Sequence, residues 1–85
     1  MKTKPARDTL TRARNPMPAF VRRALVERAL MDAYRGRPRY QQNDYLGWIA
    51  RAKLDATKQR RLEQMLDELA RGDCYMNMRW SPVRP

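Results

Sequence analysis

Apolar residues recur at helical spacing from Pro18 to about Arg35, which predicts a first helix. Proline is favoured at the start of a helix because the amide hydrogen that it lacks would have no partner there. Gly36 is expected to end the helix as a left-handed cap, and Pro38 prevents its continuation. The apolar arc contains Val21, Leu25, Phe20, Ala24, Met31 and Tyr34, and it leaves Arg22, Arg23 and Glu27 for water.

A second helical pattern runs from about Arg39 to Ala52. Its stripe has the i, i+3, i+4, i+7 spacing and consists of Tyr45, Trp48, Ile49 and Ala52, broadened by Leu46. Gly47 in the middle lowers the helix propensity by about 1 kcal/mol relative to alanine. We therefore expect Gly47 to permit the close approach of another element.

The third pattern begins after Asp55, which is expected to act as the N-cap, and ends at Gly72, the expected C-cap. Its apolar face consists of Leu62, Met65, Leu66 and Leu69. No stretch alternates with period two for long enough to predict a strand. The pattern therefore predicts an all-α fold, a small three-helix bundle with short connections.

The regions flanking the bundle have a different composition. Residues 1–15 hold a single large aliphatic side chain and are predicted to be a disordered basic arm. Residues 16–72 form the predicted three-helix module, and residues 73–85 form an irregular tail. Aromatic and methionine side chains of that tail could fold back over the core: Tyr75, Met76, Met78 and Trp80.

Charge adds an expectation about partners. The 85 residues include 19 basic and 9 acidic side chains, for a formal net charge of +10. The excess lies in the arm and the first two helices, whereas the third helix is balanced. Such a field attracts phosphate or anionic surfaces, but a solvated surface accounts for it equally well. The arm would contribute electrostatically through Lys2, Lys4, Arg7, Arg12 and Arg14.

Most catalytic chemistry has no candidate residues here. The sequence has no histidine and one cysteine, Cys74, so the usual acid–base, nucleophilic and zinc constellations are missing. We expect no enzymatic activity and no cofactor or metal. No secretory signal pattern and no apolar run long enough to span a membrane is present, so we expect a cytoplasmic protein.

A helix-turn-helix is one specific alternative, because a tight turn joins the second and third helices. The third helix would then read DNA through Thr57, Lys58, Arg60 and Arg61. It has no net positive charge and no asparagine for adenine edges, and its turn lacks the usual glycine. Aromatic residues could also stack on bases; core packing accounts better for Tyr45 and Trp48, whereas Tyr40, Tyr75 and Trp80 are freer to do so.

One ordered series of residues is not a generic amphipathic pattern. The series begins with Tyr45, which is followed three positions later by the pair Trp48-Ile49. It continues with the pair Ala52-Lys53, with Thr57 and the basic residue Lys58 after it, and with Arg61, and it closes with Leu69-x-x-Gly72. With Met17-Pro18, Ala24-Leu25 and Tyr34 upstream, the chain from Met17 to Gly72 resembles the helical module of the bacteriocin-protection, YdeI or OmpD-associated family. Lys58 stands where that family commonly has arginine, and members commonly carry a β-rich domain before the module.

The resemblance implies a helical fold and a role in resistance to bacteriocins or cationic antimicrobial peptides through an outer-membrane porin, which would place the protein at the cell envelope. Within the motif, we predict that Lys53, Lys58 and Arg61 contact a partner, with a solvated face as the alternative for each. A protein partner is the first hypothesis. The second is nucleic acid, bound by the basic arm and the basic face of the second and third helices. The sequence does not predict the oligomeric state.

Overall fold

A computed structural model describes residues 14–81 of the chain. Most of the predicted disordered arm, residues 1–13, lies outside the described residues, as do the last four residues of the tail. The described part is mainly helical and ends in a small hairpin. Its elements are α1 (Ala19–Glu27), α2 (Met31–Arg35), α3 (Arg39–Arg51), α4 (Asp55–Arg71), β1 (Cys74–Tyr75) and β2 (Met78–Arg79).

The single helix predicted from Pro18 to Arg35 is wrong, because the chain breaks it between α1 and α2. Ala29 adopts a left-handed conformation with φ of 57°. The Leu30 amide donates to the Leu25 carbonyl at 2.8 Å, and the Ala29 amide donates to the Val26 carbonyl at 3.1 Å. These two bonds are the Schellman pattern that ends helices, here with alanine where glycine is usual. The break allows Leu30 and Met31 to pack against the core.

The other two predicted helices are confirmed as α3 and α4, but their caps differ in part from expectation. Gly72 ends α4 in the left-handed region, with φ of 79°, as predicted. Gly36 does not act as a left-handed cap, since its φ is −77°. Asp55 is the first residue of α4, after Leu54 as N-cap, and no side chain caps that end.

The core lies where α4 packs against α3, α2 and β1. The predicted apolar faces lie in or against this core, although Phe20, Ala24, Met31 and Trp48 are only partly buried. The buried cluster comprises Val21, Leu25, Tyr34, Tyr45, Leu46, Ile49, Leu62, Met65, Leu66 and Leu69. In the described residues, no helix combines the length and apolar character needed to cross a membrane.

The predicted all-α class and irregular tail need correction, because β1 and β2 form an antiparallel hairpin. Its register pairs Cys74 with Arg79 and Tyr75 with Met78. Met76 and Asn77 have φ of 52° and 65°, the two positive values of a type I′ turn. The sequence lacks the glycine that usually marks such a turn. As expected of a flap, Tyr75 and Met76 pack on the core, while Met78 is exposed.

Candidate functional site

Two of the predicted partner-binding residues lie against the C-terminal end of α3. The Lys58 ammonium donates to the carbonyl of Ala52 at 2.6 Å and to that of Ala50 at 3.4 Å. The Arg61 guanidinium donates to the Trp48 carbonyl at 2.6 Å and lies 5.3 Å from the centre of the Trp48 ring. The last carbonyls of a helix lack intrahelical partners, so both cations cap α3 from α4. The sequence pattern does not indicate this structural role.

Lys53, the third predicted residue, is exposed in the turn between α3 and α4. Arg60 is also exposed, and neither cation forms an ion pair or hydrogen bond within the described residues. Between residues 53 and 61 the only carboxylate is Asp55. Four cations thus fall within residues 53–61, at and after the connection between α3 and α4; we call this set, Lys53, Lys58, Arg60 and Arg61, the α3–α4 basic surface.

Of the predicted electrostatic arm, Lys2, Lys4, Arg7 and Arg12 lie outside the described residues, and Arg14 is exposed. The next residue, Asn15, is attached to α3. Its amide donates to Asn43 Oδ1 at 2.7 Å, and its Nδ2 lies 3.2 Å from both Oδ1 and the carbonyl of Asn43.

Gly47 allows Asn15 to come so close to α3. A Cβ at Gly47 would lie 2.8 Å from Asn15 Nδ2 and 3.1 Å from a guanidinium nitrogen of Arg51. Such a distance is too short for a side chain to occupy without movement of its neighbours. The predicted close approach at Gly47 is therefore confirmed, and the approaching element is the segment before α1.

Asn15 and Asn43 border a cleft of about 240 Å³ between this segment, α2 and the first turns of α3. Its other lining residues are Arg14, Tyr34, Arg39, Gln42 and Leu46. Arg14 and Arg39 are both exposed, and none of the lining residues among positions 14–81 is acidic. Burial raises the pKa of the Tyr34 hydroxyl from its ordinary value of 10.0 to about 12. We call this feature the Arg14–Arg39 cleft.

A buried carboxylate ties the hairpin to the helices. Glu68 of α4 is 2% exposed. Its carboxylate accepts hydrogen bonds from the Tyr45 hydroxyl at 2.5 Å and from the Gln64 side-chain amide at 3.0 Å. The backbone amides of Met76 and Asn77, at the hairpin turn, each donate to it at 2.8 Å. A buried charge is stable only when it is paired or well hydrogen-bonded. Glu68 meets that condition through residues from three elements, α3, α4 and the hairpin.

Arg37 completes this network from the connection between α2 and α3. It is 5% exposed and donates to the Glu68 carbonyl at 2.9 Å and to Gln41 Oε1 at 3.0 Å. The Trp80 ring covers its guanidinium, with 4.4 Å from Cζ to the ring centre. In the part of the chain that the structure describes, every buried side-chain nitrogen and oxygen has a hydrogen-bond partner. The network thus fastens the hairpin over α3 and α4.

Comparison with known proteins agrees with the resemblance seen in the motif. The model of the family described as bacteriocin-protection, YdeI or OmpD-associated matches residues 16–72. The chain belongs to this family. No curated protein and no solved structure matches it.

The YdeI/OmpD-associated match ends at Gly72, and the hairpin follows it directly. Glu68 and Arg37 lie within the matched residues, whereas three of their contacts, Met76, Asn77 and Trp80, lie beyond them. The structural unit of this family member therefore extends past the matched region.

Sequence reasoning missed Glu68 and Arg37 because charged side chains are usually assigned to the surface. For Glu68 a signal was available, since it lies three residues after Met65 and directly before Leu69 on the apolar side of α4. Arg37 carried no comparable signal, because it lies between Gly36 and Pro38 in a connection. Among residues 14–81 no group of three histidine, cysteine or acidic side chains could hold a metal ion.

Acid is expected to destabilise this family member through Glu68. Burial alone would raise the pKa of this carboxyl, but hydrogen bonds from Tyr45, Asn77, Met76 and Gln64 outweigh it and hold the pKa below its ordinary value of 4.5. The stabilisation by the ionised form is thus complete above the unfolded-state pKa and is lost as pH falls through the folded-state pKa. An NMR titration of the Glu68 carboxyl measures its pKa in the folded chain. Urea unfolding at several values from about pH 6 to about pH 3 measures the loss of stability. A Glu68 midpoint at or above its ordinary value would contradict it.

Proposed function

We propose that this YdeI/OmpD-associated protein is a non-enzymatic binding module that attaches to an acidic surface of a partner protein through the α3–α4 basic surface. The observation that carries the proposal is the exposure of Lys53 and Arg60, neither of which has an ion pair within the described residues. Lys58 and Arg61 belong to the same stretch of chain and add charge while they cap α3. Clustered cations speed encounter with an acidic surface and select against basic ones.

Two features of the titratable side chains support a non-enzymatic role. The sequence offers no histidine for acid–base chemistry. Glu68, Tyr45 and Arg37, the buried polar groups that could be perturbed for catalysis, are occupied with one another and with the hairpin. Burial, with the hydrogen bond to Glu68, raises the pKa of Tyr45, which keeps its hydroxyl protonated as a donor.

The family description suggests the biological setting of the binding role, protection against bacteriocins. We propose that this protein contributes to such protection indirectly, from the cytoplasm and through a protein partner. A net charge of +10 argues against direct capture of a cationic peptide, because like charges repel. An acidic partner protein fits the charge.

Nucleic acid is the second candidate, favoured by the three-residue connection that joins α3 to α4 as in a helix-turn-helix. The orientation of two cations weighs against it. Lys58 and Arg61 belong to the first turns of α4, which would enter the groove, yet both donate to carbonyls of α3. An acidic protein surface therefore fits the arrangement better than a DNA groove.

An NMR titration of the isotope-labelled chain tests the two candidates with a glutamate-rich peptide and a generic DNA duplex, at low and physiological salt. We expect the peptide to shift the amides of the α3–α4 basic surface. The double substitution Lys53→Gln with Arg60→Gln should weaken peptide binding about fivefold, on the order of 1 kcal/mol. The matched control, Arg22→Gln with Arg23→Gln on the exposed side of α1, removes the same charge and should have little effect.

Two results would contradict the protein-binding proposal. Equal weakening in both double variants would mean that only net charge matters. Shifts on this surface that only DNA produces, and that persist at physiological salt, would identify a nucleic-acid reader instead.

A further inference from the structure

We propose that the Arg14–Arg39 cleft is a binding site for the phosphate group of a small molecule. This site is separate from the α3–α4 basic surface and does not depend on the function proposed above. Its two arginines are exposed at the edge of a cleft of about 240 Å³. Neither has an ion pair or hydrogen bond within the described residues, so both guanidinium groups are available to a ligand.

The position of Arg14 is set by its neighbour. Asn15 holds the chain on α3 through the contacts with Asn43, and Asn43 is itself only 6% exposed. Gly47 leaves the space that this arrangement requires. The backbone that carries Arg14 is thus anchored at the cleft that Arg39, the first residue of α3, also lines. A site that is ordered before binding loses less conformational entropy when a ligand enters.

The charges of the cleft favour phosphate over carboxylate. Guanidinium groups bind phosphate and carboxylate oxygens in a bidentate manner. Within the described residues the cleft offers two positive charges and no acidic lining residue, which matches the charge of about −1.5 to −2 on a phosphate monoester near pH 7. A carboxylate would neutralise only one of the two arginines. The cleft volume suits a small molecule rather than a polymer surface.

Another cleft among the described residues provides a contrast. It measures about 470 Å³ and lies beside the hairpin, and its lining residues include Arg71, Arg79 and Asp73. Arg71 Nε lies 3.7 Å from Asp73 Oδ1, and a second carboxylate, Asp67, lies 4.0 Å from its Nη1. This arginine is already compensated by the protein, unlike Arg14 and Arg39. Because Asp73 lines this cleft together with Arg71 and Arg79, its described lining carries a smaller excess of positive charge than the Arg14–Arg39 cleft.

Inorganic phosphate is the probe that tests the proposal, titrated into the isotope-labelled full chain near pH 7 at constant ionic strength. We expect saturable shifts of the amides of Asn15, Asn43 and Leu46. Arg14→Gln and Arg39→Gln should each weaken phosphate binding at least about tenfold, since each removes one of the two charged donors. Arg60→Gln, the matched control, removes an equal charge from the α3–α4 basic surface and should leave phosphate binding unchanged.

Gly47→Ala tests the geometry of the site without changing its charge. The added methyl group displaces Asn15, so phosphate binding should weaken while α3 remains helical by circular dichroism. Shifts that do not saturate, or equal weakening by Arg39→Gln and Arg60→Gln, would overturn the proposal in favour of diffuse attraction. Acetate binding as tightly as phosphate at equal ionic strength would overturn the assignment to phosphate. None of these outcomes depends on whether the glutamate-rich peptide binds.

Discussion

Replacing Glu68 by glutamine is expected to lower the free energy of unfolding by about 2 to 3 kcal/mol, the cost of losing charge-assisted hydrogen bonds and leaving a buried donor without a partner. The carboxylate accepts hydrogen bonds from Tyr45, Gln64, Met76 and Asn77. A glutamine side chain has one acceptor oxygen and an NH₂ group, which would face an N–H or O–H donor. It therefore leaves buried donors without partners while it preserves the shape of the side chain.

Urea unfolding near pH 7 measures this effect, and Glu63→Gln is the matched control. Glu63 lies on the same helix, but its ion pair with Arg28 is exposed and measures 3.4 Å. Exposed pairs of this kind contribute roughly 0 to 1 kcal/mol, so the control should remain close to the parent. A Glu68→Gln chain as stable as the Glu63→Gln chain would mean that the hairpin is not held by this carboxylate.

The helices that could be predicted from sequence are those whose signals are local. In α4, good helix formers, an apolar stripe and the final Gly72 all lie within one segment, and they predict its end correctly. The same holds for α3 between Pro38 and Ala52. Gly47 could also be interpreted, because a glycine that lowers the propensity of a helix from within indicates a close contact. Periodicity needs no knowledge of distant residues, and this is why these predictions hold.

The break after α1 could not be predicted because no residue in it signals a stop. Ala29 carries a Cβ, and a left-handed alanine is disfavoured relative to glycine. The gain that offsets this strain is tertiary, since Leu30, Met31 and Tyr34 reach the core only after the chain turns. Local propensity supports a continuous helix here, and packing against α4 overrides it.

The candidate sites were predicted only where one segment supplies them. Lys53, Lys58 and Arg61 could be named from the motif, but the capping of α3 by the last two depends on how α3 and α4 pack. The Arg14–Arg39 cleft combines positions that are far apart in the chain and meet through Asn15 and Asn43. Contacts of this kind follow from the fold as a whole, so the sequence pattern cannot indicate them in advance.

A chain that ends after Gly72, where the family match stops, is expected to be less stable than the full chain by about 3 kcal/mol. Two hydrogen bonds to the Glu68 carboxylate would be lost, and such charge-assisted bonds contribute roughly 1.5 to 3 kcal/mol each. The cation–π contact between the Trp80 ring and the Arg37 guanidinium would also be lost, and such a contact contributes about 1 to 2 kcal/mol. The conformational entropy regained by the released hairpin offsets part of this sum.

A chain that ends after Ser81 is the control for that truncation, because it keeps every hairpin contact described above. Its midpoint in urea should equal that of the full chain, and Trp80→Ala should fall between the two truncations. Met78→Ala tests the hairpin itself: Met78 lies in β2 but is 56% exposed, so its loss should change the unfolding free energy little.

If the chain that ends after Gly72 unfolds at the same urea concentration as the full chain, water must satisfy Glu68 and Arg37 as well as the hairpin does. Residues 16–72 would then fold as a complete unit, and the hairpin would be an appendage rather than part of the core.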